Sequence, residues 1–128
     1  MSIEEFYSLM DDVVAGYGDE VVHKVEVGKT LSGKSISAYA LFRYNGPTEL
    51  SESEYKIELA RRESILLTGV HHARELTSIS QIVFEILALL YRYEAADSQT
   101  LMLLDRAAII CIPVFNVDGV SLISEIYR

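Results

Sequence analysis

Apolar residues return along this chain with different periods, and each change of period marks a new element. At the start Ile3, Phe6, Tyr7, Met10, Val13 and Val14 recur at helical spacing, while Glu4, Asp11 and Asp12 fall elsewhere on the wheel. Ser2 followed by Glu5 is a capping-box pattern for this helix, and Gly16 and Gly18 stop it. Val21 to Val27 then alternates: Val21, His23, Val25 and Val27 share one face, with Val22, Lys24 and Glu26 on the other. Gly28 to Lys34 reads as a turn and Ser35 to Phe42 as a second strand, which predicts an antiparallel hairpin.

From Arg43 to Glu63 the chain is polar and charged, opening on the breaker Asn45-Gly46-Pro47. The stretch is too long for an ordinary connection, so local structure is expected around Tyr55 to Ala60, with its charges facing solvent. Ser64 to Val70 is a nearly continuous apolar run, as expected of a strand buried on both faces. Ser78 with Gln81 predicts the cap of the next helix. In that helix Ser78, Gln81, Glu85 and Arg92 form one thin polar stripe, so most of it is expected to be buried. A short helix from Asp97 to Arg106 follows, then a second two-sided apolar strand from Ala107 to Phe115, ending in Asn116-Val117-Asp118-Gly119.

Two apolar strands separated by helices imply a parallel pair joined by a crossover, and the hairpin before them makes the sheet mixed. The fold class is therefore α/β. His72 to Glu75 and Asn116 to Gly119 both lie just past the carboxyl ends of the parallel strands, the edge at which open α/β sheets place their ligands.

Composition narrows the function. The chain has 128 residues, of which 50% are hydrophobic and 23% charged, enough for one compact domain. A formal net charge of -8 argues against a nucleic-acid partner, which calls for a basic patch. No apolar run reaches the ~20 uncharged residues of a membrane-spanning helix, and no polybasic anchor is present. Cys111 lies inside an apolar strand and reads as a buried structural thiol. The acidic start Met1-Ser2-Ile3-Glu4-Glu5 lacks a signal pattern, so either the protein is cytosolic or its natural start lies elsewhere.

The candidate chemistry sits in Gly69-Val70-His71-His72-Ala73-Arg74-Glu75, where a strand hands over to a helix. A neutral imidazole nitrogen and a carboxylate oxygen are a good donor pair for a catalytic zinc, and a tight turn can aim His72 and Glu75 at one point. On spacing alone a His-x-x-Glu pair is a weak signal that arises often by chance, and a local hydrogen-bonding role stays open.

The stretch resembles the His-Ala-Arg-Glu zinc signature of the zinc carboxypeptidases, the carboxypeptidase A and B family. Lys29-Thr30-Leu31-Ser32-Gly33-Lys34-Ser35-Ile36 looks like that family's hairpin, usually written Gly-x-Ser-x-Glu-Gly-Arg-x-Ile. Pro113-Val114-Phe115-Asn116-Val117-Asp118-Gly119 looks like its Pro-x-x-Asn-Pro-Asp-Gly strand end. The capped first helix precedes them in the family's order. Leu76 stands where the family often has tryptophan, and Val117 replaces the usual proline.

The resemblance implies a three-layer α/β/α fold with a mixed sheet, of which residues 1–128 would be the N-terminal portion of one catalytic domain. It implies that His72 and Glu75 are two of the three protein ligands of one zinc ion, and that Arg74 helps bind substrate, with an ion pair as its alternative role. A His-Glu-His zinc site is the known arrangement of carboxypeptidase A. The implied activity is metallocarboxypeptidase: zinc-dependent removal of C-terminal residues from peptides and proteins. The family's third ligand, a histidine, and its glutamate general base lie further downstream than Arg128, so these residues alone are expected to be inactive, with an open, apolar sheet edge and poor solubility. His71 carries no family role, His23 reads as structural, and Asn116, Asp118 and Gly119 read as a turn shaping the edge of the site. The alternative is a non-catalytic remnant or binding module of the same fold, with weak or no metal binding.

Overall fold

The computed structural model describes residues 2–46 and 49–127; Pro47, part of the predicted breaker, lies outside them. Among the described residues the α-helices and strands follow in order: α1 (Ile3–Tyr17), β1 (Val22–Lys29), β2 (Ser35–Leu41), α2 (Glu52–Ala60), β3 (Glu63–Thr68), α3 (Thr77–Glu94), α4 (Ser98–Arg106), β4 (Ala107–Ile112) and α5 (Val117–Ile126), with one short 3-10 helix at Gly18–Glu20 between α1 and β1. The strands form one mixed sheet in the order β1-β2-β4-β3. β1 and β2 make the antiparallel hairpin, β2 pairs antiparallel with β4, and β3 runs parallel to β4. The α/β class, the hairpin and the parallel pair all stand as the sequence predicts.

Alternation along the two central strands sorts the core into two layers. Tyr39 and Leu41 of β2, with Ile109 and Cys111 of β4, pack with Phe6 and Met10 of α1, Ile82, Ile86 and Leu90 of α3 and Val120 of α5. Ala40 of β2 and Ala108 of β4 face the other way, with Phe42, and pack with Tyr55 of α2. Helices thus cover both faces, which is the three-layer arrangement. Cys111 is fully buried, and desolvation with the nearby Glu85 charge pushes its thiol up to about 12. His23 is structural: it is buried and stacks on Phe42 at 4.3 Å.

Local signals are met where the partners lie within one turn. Ser2 and Glu5 make both bonds of the capping box on α1. Ser51 and Glu54 make a second on α2, inside the stretch where local structure was expected. Asp97 caps α4 by accepting from the Thr100 backbone N–H.

Several expectations are corrected. β3 is not buried on both faces; it is the edge of the sheet, and Ile65 and Leu66 are 51% and 60% exposed. α3 is not mostly buried: Ile82, Ile86 and Leu90 face the core, whereas Phe84, Leu87 and Tyr91 are exposed. A thin polar stripe shows which residues cannot be buried, and only the arrangement of neighbours decides which apolar ones are. Ser78 and Gln81 do not cap α3, which starts without a side-chain cap; Gln81 instead donates to Glu85 at 2.8 Å. β4 ends at Ile112, short of Phe115, and the Asn116 segment opens a fifth helix rather than a simple turn. A register shift between Glu26 and Gly28 breaks the alternation of β1 and leaves Val27 half exposed. Finally, Arg62 does not belong to a solvated excursion. Its guanidinium lies over the Phe42 ring and donates to the carbonyls of Arg43, Leu104 and Asp105, which fastens the end of α2 to the sheet.

Candidate metal centre

The loop that follows β3 begins as a continuation of the parallel ladder. Gly69 donates its N–H to the Ile112 carbonyl at 2.9 Å, Phe115 donates to the Gly69 carbonyl at 3.0 Å, and Asn116 donates to the Val70 carbonyl at 2.9 Å. The two segments past the strand ends are therefore stitched together. The side-chain amide of Asn116 adds a bond to the His71 carbonyl at 3.2 Å, while its Oδ1 accepts the Gly119 N–H and caps α5. A side chain on Gly119 would meet Ala73 Cβ at 2.8 Å, so the helix start and the loop pack with no room between them.

Val70 departs from the ladder. Its φ is 48°, the left-handed region, which costs a β-branched residue about 1–3 kcal/mol. Its side chain is 1% exposed and belongs to the main core, so burial and two hydrogen bonds offset the strain. The Asn116 bond takes its carbonyl, and Ser78 Oγ accepts its N–H at 2.9 Å. The reversal at Val70 ends the strand and throws the following residues out toward solvent.

His72, Arg74 and Glu75 are all exposed. The Glu75 N–H donates to the His72 carbonyl at 3.0 Å, closing one four-residue turn. Residues at the two ends of such a turn have Cα atoms less than about 7 Å apart, so imidazole and carboxylate start from neighbouring points. None of the three side chains makes a hydrogen bond or ion pair among the described residues, so the ion-pair alternative for Arg74 finds no partner there. His71 differs: its Nε2 lies 3.0 Å from Thr68 Oγ1 and its ring meets Phe115 edge-on, which turns it toward the sheet. No group of three or more His, Cys, Asp or Glu residues that could hold a metal gathers among the described residues.

Two features went unnoticed in the sequence. The Asn116-x-x-Gly119 spacing is a helix-capping signal, since asparagine is a favoured N-cap. The second had no signal: Asp118 accepts from the hydroxyl and the backbone N–H of Ser32, which ties the β1–β2 turn to the start of α5.

The sequence profile described as zinc carboxypeptidase matches residues 6–128, and the chain belongs to that family. Over 93 residues, 73% of this chain, it is 33% identical to the inactive metallocarboxypeptidase ECM14 of Saccharomyces cerevisiae. Over 95 residues, 74% of the chain, it is 34% identical to the inactive metallocarboxypeptidase of the same name from Schizosaccharomyces pombe. Those matches take in 19% and 18% of the two relatives, so the chain spans about a fifth of their length. The crystal structure of thrombin activatable fibrinolysis inhibitor superposes with a TM-score of 0.70 at 18% identity, over 94% of this chain and 26% of the other. At that identity the likeness is one of fold.

Proposed function

We propose that residues 1–128 are the N-terminal portion of a metallocarboxypeptidase catalytic domain and that their 72–75 turn is its metal-holding loop. His72 and Glu75 are two protein ligands of one zinc ion, and the complete domain removes C-terminal residues from peptides or proteins. The observation that carries this reading is the single hydrogen-bonded turn that presents both side chains, exposed and unengaged, at the carboxyl edge of β3. The donor set fits the metal: an imidazole nitrogen and a carboxylate oxygen both suit zinc, and two donors leave positions for a third ligand and for water. When bound, zinc supplies a Lewis acid for the scissile carbonyl and a bound water of lowered pKa.

The chain's own residues bind and orient. The strained Val70 and the Asn116 bonds hold the turn against the sheet. Arg74, between the two ligands, offers a planar guanidinium that takes a substrate carboxylate or carbonyl in a fixed fork. A second reading has specific support: the two curated relatives are both named inactive. In that reading the protein keeps the fold and the loop as a binding module and performs no hydrolysis.

Calorimetric zinc titration of the wild-type chain, with His72→Ala and Glu75→Ala in parallel, tests the site. Binding of one zinc that both variants lose supports it; no binding, or binding that neither substitution changes, overturns it. Incubating the zinc-loaded complete domain with peptides and following release of the C-terminal residue by mass spectrometry separates the readings. Release supports the carboxypeptidase, and zinc binding without release supports the binding module.

A further inference from the structure

We propose that Ser78 is a positioning residue for the His72/Glu75 pair, bracing from the first turn of α3 both the Val70 backbone that leads into the turn and the Glu75 carbonyl at its end, with Asn116 as its counterpart on the α5 side. This rests on the zinc reading of that pair. Ser78 Oγ accepts the N–H of Val70 at 2.9 Å and donates to the carbonyl of Glu75 at 2.6 Å. One hydroxyl thus touches the residue two before His72 and the residue proposed as the second ligand. The Ser78 backbone N–H adds a bond to the same Glu75 carbonyl at 3.1 Å.

The need for such a brace follows from Val70. A β-branched residue in the left-handed region relaxes toward extended backbone unless its surroundings over-determine it. Rotation there would swing His72 relative to Glu75, because Val70 precedes His72 whereas Glu75 follows it into the helix. Ser78 Oγ holds the Val70 N–H and the backbone N–H of Asn116 holds the Val70 carbonyl, so both polar groups of the strained residue are pinned, one from α3 and one from the N-cap of α5. Asn116 Nδ2 also holds the next carbonyl, that of His71. A metal site needs its ligands preset within a fraction of an ångström, and supporting hydrogen bonds commonly change affinity 10–100-fold when removed.

The test is zinc titration of Ser78→Ala, Ser78→Thr and Thr77→Ala beside the wild type, with thermal unfolding to check that each is folded. Ser78→Ala should lose about tenfold or more in zinc affinity, Ser78→Thr, which restores a hydroxyl, should recover most of it, and Thr77→Ala should bind as wild type does. Equal affinity in wild type and Ser78→Ala, or an equal loss in Thr77→Ala, overturns the positioning role and leaves the zinc reading intact. A wild-type chain that binds no zinc overturns both. If Ser78→Ala does not fold, Asn116→Ala carries the test by removing the bond from its Nδ2 to the His71 carbonyl while the backbone bond to Val70 stays, with the same loss expected and unchanged affinity overturning the role.

Discussion

Gly69 lies so close to Pro113 that a Cβ on it would stand 2.7 Å from the Pro113 carbonyl oxygen. The same atom would meet Ile82 Cδ1 at 2.9 Å. Both parallel strands and α3 converge there, one residue before the strained Val70, and the contact on one side is backbone that cannot swing away. Gly69→Ala should therefore destabilise the chain by about 1–3 kcal/mol, the usual cost of overpacking. Gly16→Ala is the control of opposite sign. Gly16 is helical with nothing within 4 Å of a new Cβ, so alanine there should stabilise by up to about 1 kcal/mol. Urea unfolding midpoints of the two variants decide it; parallel shifts in one direction would contradict this packing.

Acidification should expose the bond between Ser32 and Asp118. The Ser32 hydroxyl, first among several contacts that include Thr30, the Ser32 N–H and the Lys34 charge, holds the Asp118 carboxyl below its ordinary value of 3.8. A carboxylate whose pKa is lowered by folding contributes stability above its unfolded value and loses it as pH falls through the folded value. Unfolding midpoints measured from neutral pH down through that range should fall less steeply in Ser32→Ala than in wild type. Identical acid limbs in the two proteins would show that the bond does not contribute in solution.

The free edge of the sheet predicts a solution behaviour. β3 offers unpaired backbone groups, with Ile65 and Leu66 half or more exposed beside them, and such an edge is a template for pairing between copies. Leu66→Lys should slow aggregation, seen by light scattering at matched concentration, while changing stability by no more than about 0.5 kcal/mol. Aggregation at the wild-type rate would place the cause elsewhere.

What the sequence determined by itself is local. The capping box and helix of α1, the hairpin and the two apolar strands are legible because each depends on residues one turn or one pleat apart. The proximity of His72 and Glu75 along the chain was legible for the same reason, since they fall at the two ends of one hydrogen-bonded turn, whereas Asn116 to Gly119 reads as a turn and opens a helix. The tertiary structure decided the rest. Ser64 to Val70 reads the same whether or not a neighbour covers it, and only the strand order placed it at the edge with Leu66 in the open. The apolar residues of α3 likewise divide into buried Ile86 and exposed Phe84 according to what packs beside them. Nothing in a valine predicts a left-handed backbone. At Val70 that conformation is imposed by a buried side chain and by bonds from Ser78, eight residues away, and from Asn116 across the sheet. Local propensity opposes it, and long-range contacts outweigh that opposition.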